Sequence, residues 1–260
     1  MSTTNIIYEQ PLNEHIRFCL RLEHLFQKAK HYLRDESSWG SRIILETILE
    51  ILSVVDRPDL KTKLSKALSL YATSLGQLLQ EDKLPDDVDE KKLKSLFLKL
   101  TELIESLHSS IGKIGQNLRE NDFIATILQR STVAAGTSAF CIPAYHLWLE
   151  QPAKRRSQDL IRWIENFSEL TSLTSLLLQL CRESDDFQDV EAKDGFYQIN
   201  LDPKISYQMV RISLATVDSI YPEISVGKHR LSVHFYVLNS SGRPEHVKHN
   251  VKFKLACCKI

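Results

Sequence analysis

Residues 136–148 read GTSAFCIPAYHLW, and the reading of this stretch divides the chain. Gly136, two hydroxyl residues, Phe140 and Cys141 make a short run of strand character, and Pro143 ends it and can open a helix. A lone strand cannot satisfy its own backbone, so 136–142 is expected to pair with strands distant in sequence. Upstream, nearly every segment has helical periodicity. Downstream come one more long helix and then a series of alternating strands. The stretch is therefore read as the seam between a helical body and a β body, and the fold class as α+β.

Working toward the start, Asn5–Glu9 is strand-like and Pro11 opens a helix to about Leu33, with Ile16, Leu20, Leu22, Leu25, Phe26 and Ala29 on its buried stripe. Ser37 or Ser38 caps a second helix that is apolar on most sides, through Ile44, Ile48, Ile51 and Leu52, and is expected to be central. Pro58 suits the first position of a third helix, residues 81–89 (EDKLPDDVD) break it, and Asp89 caps a fourth. The third and fourth helices read as an antiparallel hairpin, with enough apolar surface to pack on other helices or on a second subunit. Gly112 and Gly115 mark a bend, 120–130 a short helix, and Pro152 the start of a long helix reaching Cys181. Lys154, Arg155 and Arg156 at its amino end are unfavourable there, which fits either a site for an external anion or a plain solvated turn.

The acidic stretch 183–195 is read as a loop before the β half. GFYQI (Gly195–Ile199) and Met209–Leu214 follow as strands, and HRLSVHFYV (His229–Val237) alternates most clearly, with Leu231, Val233, Phe235 and Val237 on one face and Arg230, Ser232, His234 and Tyr236 on the other. NSSGRP (Asn239–Pro244) closes a hairpin onto a return strand carrying Val247 to Cys257 inward and Lys248, Lys252 and Lys254 outward. The design is apolar inward and basic outward, in an antiparallel sheet. The expected domains are a helical one of 12–135 and 143–183 and a β one of 5–9, 136–142 and 195–260. Nine basic against three acidic residues from Pro203 to Ile260 give this end +6, and the zero net charge leaves −6 elsewhere.

Phosphate-loop, dinucleotide and nucleophile-elbow motifs do not occur. His246, His249, Cys257 and Cys258 argue against zinc, because adjacent cysteines chelate one ion poorly and histidines three apart on a strand face opposite ways. The odd number of cysteines, five, sitting mostly in apolar patterns, reads as reduced packed thiols. With no long apolar run and no charged leader, the chain is expected to be cytosolic. The basic face formed by Arg211, Lys228, Arg230, His234, Lys248, Lys252 and Lys254 suits a carboxylate, an acidic peptide or a phosphate backbone. For the lysines an ordinary wet sheet face explains as much, while the planar fork of Arg230 suits a carboxylate. A nucleic-acid-binding module ranks second, since only Tyr236 adds an aromatic ring to that face.

Several segments together resemble the ZapD family of bacterial cell-division proteins associated with FtsZ. They are YEQPLNEHIRFCLRLEHL (Tyr8–Leu25), LRE (Leu118–Glu120), the seam with Phe140, Pro143, His146 and Trp148, GFYQ (Gly195–Gln198), YPEIS (Tyr221–Ser225) and LACC (Leu255–Cys258), in family order over most of the chain. The resemblance implies a non-enzymatic cytoplasmic homodimer, without cofactor, metal or membrane segment. Such a protein binds the carboxy-terminal tail of FtsZ, cross-links filaments into bundles and supports the division ring at midcell. It further implies positively charged contact residues, for which His146, Lys228, Arg230 and His234 fit here, with Arg21 and Arg119 beside them. Asn121 and Asp122 replace the acid and base that often follow LRE, which weakens a basic patch near Arg119. His146, just past the seam, is expected where the helical body meets the basic sheet.

Overall fold

A computed structural model of the chain describes residues 5–80, 90–109, 112–138, 140–215 and 219–260. It has the α+β fold, with nine helices and two antiparallel four-stranded sheets among the described residues. The chain divides into two compact units, Phe18–Leu176, and Met1–Arg17 together with Leu177–Ile260.

The helices are α1 (Glu14–Tyr32), α2 (Ser38–Val54), α3 (Leu60–Gln80), α4 (Glu90–Ser109), α5 (Gln116–Arg119), α6 (Asp122–Ser131), α7 (Pro143–Leu149), α8 (Ala153–Glu165) and α9 (Ser168–Arg182). In α1 the cap is Asn13, whose Oδ1 accepts the Ile16 N–H at 2.9 Å; Pro11, expected to open this helix, instead ends the preceding strand. Ser37 caps α2 by accepting the Gly40 N–H at 2.9 Å, and Ile44, Leu45, Ile48, Ile51 and Leu52 are all buried, so α2 is the central helix of its unit. Helices α3 and α4 pack as the expected hairpin. The breaker at 81–89 and its Asp89 cap lie outside the described residues.

The seam strand does not form. Residues 136–138 and 140–141 lie in turns and a bend, in which the N–H groups of Gly136, Ser138 and Cys141 donate to the carbonyls of Val133, Ala135 and Ser138 at 2.9, 3.0 and 3.0 Å. Local bonds thus satisfy a backbone that was expected to need a distant partner. Pro143 does stand at the first position of α7. The long helix expected from Pro152 to Cys181 is also interrupted. Asn166 folds its amide back onto the carbonyls of Arg162 and Trp163 at 2.9 and 3.3 Å, and Phe167 is fully buried, so the chain turns between α8 and α9.

The Arg156 guanidinium serves neither an external anion nor a solvated turn. It is buried and donates to Ser41 Oγ at 3.0 Å and to the carbonyls of Leu149 at 3.1 Å, Glu36 at 2.6 Å and Gln151. A cation suits this place because Leu149 and Gln151 close α7, where carbonyls lack helical partners. Lys154 and Arg155 remain exposed.

The strands are β1 (Asn5–Pro11), β2 (Gln188–Ala192), β3 (Phe196–Asn200), β4 (Tyr207–Ala215), β5 (Ile220–Val226), β6 (Arg230–Leu238), β7 (Pro244–His246) and β8 (Val251–Lys259). The first sheet has order β1-β4-β8-β2; the second has order β3-β6-β5, with β7 also on β6. Their inner faces share one core, with Val210, Ile212, Phe253 and Leu255 from the first and Leu231, Val233 and Phe235 from the second. The Phe235 and Phe253 rings meet at 4.9 Å.

Two expectations change here. The return strand is split, because β7 stays on β6 in the second sheet while β8 crosses to the first. The acidic loop at 183–195 contains strand β2, which turns into β3 at Asp194-Gly195; both residues have positive φ (49° and 71°), and Lys193 and Phe196 exchange two backbone bonds at 3.0 and 2.9 Å. An added Cβ on Gly195 would stand 2.2 Å from the Val247 carbonyl oxygen, so both conformation and space require glycine there.

Around the first sheet, Glu9 on β1 accepts two bonds from Arg182 (2.9 and 2.7 Å) and one from Arg211 on β4 (3.0 Å). Burial raises the Glu9 pKa, but the bonds and charges of Arg182 and Arg211 outweigh it and hold the carboxyl below its usual 4.5. Its contribution to stability is therefore complete above about pH 4.5 and is lost as pH falls through the lowered folded value. His15 acts in the same direction. Burial, only partly offset by its bond to Gln208 Oε1 at 3.1 Å, lowers its pKa from 6.5. Below about pH 6.5 the unfolded chain takes up a proton that the folded imidazole resists, so stability falls with pH there too. Glu9→Gln is expected to cost about 2 kcal/mol in urea unfolding at pH 7 and to flatten the acid limb of the stability profile below pH 4.5.

Candidate functional site: the outer face of the second sheet

The expected single basic face does not exist. Because β6 and β8 belong to different sheets of a sandwich, their outward residues point away from a shared core in opposite directions. On the first sheet Arg211 is bound to Glu9 and stacks its guanidinium 4.9 Å from the Phe187 ring, Lys254 lies 3.9 Å from Asp189, and Lys252 stands opposite Glu191. That face is charge-balanced. Lys248 lies between β7 and β8, on neither strand.

The second sheet keeps Lys228, Arg230 and His234. Lys228 sits in the β5–β6 turn and Arg230 opens β6; both are exposed, and among the described residues no carboxylate pairs with either. The turn is fixed by its backbone, with Gly227 N–H on the Arg230 carbonyl and Leu201 N–H on the His229 carbonyl, each 2.9 Å. Lys228 also lines a groove of about 500 Å³ together with Arg17, Gln10, Asp202, Ser206 and Tyr207. Arg17 is tied to Glu14 at 3.2 Å, whereas Lys228 has no ion pair among the described residues and shares the lining with the carboxylate of Asp202.

Along the outer face, ring contacts cross four strands. Phe196 meets His234 at 4.7 Å, His234 meets His246 at 5.8 Å, His246 meets Tyr236 at 5.5 Å, and Tyr236 stacks on Tyr221 at 6.0 Å. Glu223 stands opposite His234 on β5 and is the acid within this set. The face therefore offers cations at one end and a partly exposed row of rings beyond them.

Phe196, Tyr221 and His246 are additions that the sequence reading missed. The period-2 alternation of FYQIN was enough to send Phe196 outward, with Tyr197 and Ile199 inward. YPEIS, which enters the sequence analysis only as a family segment, lies in strand β5, and β5 tolerates Pro222 because it is an edge strand.

The other three candidates lie in the helical unit. His146 and Arg21 are exposed, on α7 and α1. Below His146, α7 buries Tyr145 and Trp148 in a ring cluster with Phe123 and Trp163. Arg119 is half-buried; it donates to the Leu52 carbonyl near the end of α2 and lies 3.8 Å from Asp56. Its charge thus caps a helix carboxy terminus within its own unit. Asn121, which departs from the LRE pattern, caps α6 by accepting the Ile124 N–H at 3.1 Å.

Fold and site define an α+β protein with a helical unit and a β sandwich, whose candidate site is an open charged and ring-lined face. No helix among the described residues is long and apolar enough to cross a membrane. The family described as ZapD, cell division protein, matches residues 20–234, and the chain belongs to that family. A cell division protein ZapD from Coxiella burnetii is 40% identical over 262 residues, covering 100% of both chains. Those of Methylococcus capsulatus (97% of this chain, 98% of the relative) and Azoarcus sp. (98% and 100%) are each 32% identical.

Proposed function

We propose that this chain is a non-enzymatic cell-division factor that binds FtsZ by its carboxy-terminal tail. As a cytoplasmic homodimer it cross-links FtsZ protofilaments into bundles and promotes ring assembly at the midcell division site. The observation that carries this reading is the exposed Lys228–Arg230 pair at one end of the second sheet, with no carboxylate paired to either among the described residues. Such a pair can hold the carboxylates of a short extended segment, Arg230 by its planar fork and Lys228 as a mobile point charge. His146 and Arg21, as exposed cationic or titratable groups of the helical unit, are proposed as further contacts; Arg119, engaged at α2, contributes less.

A disordered tail loses entropy on binding, so each contact is weak, and a two-tailed grip on filaments with many tails supplies the rest. Co-sedimentation of the chain with FtsZ filaments tests this. Filaments lacking the tail are expected to pellet without it, and raising salt from 0.05 to 0.5 M is expected to release it from intact filaments, roughly tenfold or more, because exposed charges are screened. Undiminished pelleting with tail-less FtsZ would overturn the reading. The three exposed or half-exposed rings Phe196, Tyr221 and Tyr236, farther along the face from Arg230, favour one rival, single-stranded nucleic acid stacked on the sheet. That rival requires oligonucleotide binding at physiological salt with a steep salt slope.

A further inference from the structure

Cys181 lies in the last turn of α9 and Cys258 near the end of β8, and both side chains are fully buried. Three side-chain contacts hold these segments together. Ser184 Oγ donates to the Cys181 carbonyl at 2.8 Å and accepts the Lys259 N–H at 3.0 Å, while the Asp185 carboxylate accepts the Cys257 N–H at 2.8 Å. Because one Ser184 hydroxyl bonds both the Cys181 carbonyl and the Lys259 N–H, the last turn of α9 lies against the end of β8 and the two buried thiols are neighbours. The Cys181 side chain beside it holds the Cys258 thiol below its ordinary pKa against the effect of burial, with the Arg211 charge assisting. Its neighbour Cys257 is pushed up to about 11 by burial and by the nearby Asp185. Two adjacent cysteines are thus set apart, and the one favouring thiolate lies beside a second buried thiol.

We propose that Cys181 and Cys258 form a reversible intramolecular disulfide when the folded chain meets a peroxide. The Cys258 thiolate attacks one oxygen of hydrogen peroxide, the O–O bond breaks, and a sulfenic acid forms while the leaving hydroxide takes a proton to become water. The Cys181 sulfur then attacks the sulfenyl sulfur, the S–O bond breaks, and a second water leaves with the thiol proton. Two thiols lose two electrons, and one peroxide is reduced to two waters. Opening of the last turn of α9 admits the oxidant, and reclosing returns the pair to contact. In a reducing compartment thiol exchange reopens the bond, so it marks oxidation instead of maintaining the fold.

The test treats the full folded chain with equimolar hydrogen peroxide, blocks free thiols and maps the peptides. The expected product links Cys181 to Cys258, with two of the five thiols lost and a melting temperature raised by about 5 °C until dithiothreitol reverses it. Cys257→Ser is expected to leave this product unchanged. Cys181→Ala is expected to abolish it and let Cys258 proceed to sulfinic acid. Free Cys181 and Cys258 in the treated wild-type chain, a bond between Cys258 and Cys257, or a link between chains through half-buried Cys141 would each overturn the proposal. The wild-type map alone decides it, whether or not the variants fold.

Discussion

An Arg230→Glu chain is expected to remain in the supernatant when FtsZ filaments are pelleted, with binding reduced by at least tenfold and bundling lost. The substitution replaces an attractive contact with a repulsive one, and a charge reversal against a carboxylate in a partly screened site costs more than 1.4 kcal/mol, the equivalent of a factor of ten. The fold is expected to tolerate it. Arg230 is exposed at the first position of β6, stands opposite Asn200, and is held by no ion pair among the described residues. Its melting temperature should therefore match wild type, as for surface changes that disturb nothing buried. Lys228→Glu should act in the same direction and more weakly, since a lone ammonium lacks the two-pronged geometry. A folded Arg230→Glu chain that still bundles filaments would remove the second sheet from the proposed interface.

The second large effect is on stability. Arg156→Ala is expected to cost about 4 kcal/mol and to lower the melting temperature of the helical unit by about 10 °C. The charged guanidinium supplies four donors to neutral oxygens of Glu36, Ser41, Leu149 and Gln151, and deletion strands those buried acceptors without water to replace it. Arg156→Lys should recover part of this loss, because an ammonium reaches some of the acceptors but lacks the fork. Arg155→Ala, one residue away and exposed, should stay within about 0.5 kcal/mol. Equal effects at 155 and 156 in urea unfolding would contradict the buried clamp.

These two arginines show where sequence reading stops. Arg155 and Arg156 are equivalent as a charge run at a helix start, and nothing in their spacing says that one turns inward onto carbonyls of α7 and of Glu36. Arg230 was legible, because strict alternation in HRLSVHFYV fixes which side it takes. Lys252 and Lys254 had the same alternation, and they were correctly sent outward, but from the other sheet. Period 2 assigns a face relative to the core; it does not say to which of two sheets the strand belongs.

The sequence by itself determined the α+β class, the capped central helix, the alternation of β4, β6 and β8, and, through its ordered family segments, membership of the ZapD family. Each of these is local, carried by caps, periods and short motifs. Tertiary structure alone decided the rest. The stretch from Gly136 carries strand-like residues, but neighbouring carbonyls accept the N–H groups of Gly136, Ser138, Cys141 and Ile142, so local turns stand among its described residues in place of a paired strand. The chain changes sheets between β7 and β8, and that crossing separates the lysines of β8 from Arg230, while strand pairing in the second sheet brings Phe196 and His246 to His234 and Tyr221 to Tyr236. Which groups meet is set by pairing between distant segments, and pairing depends on a shared core that no single stretch contains.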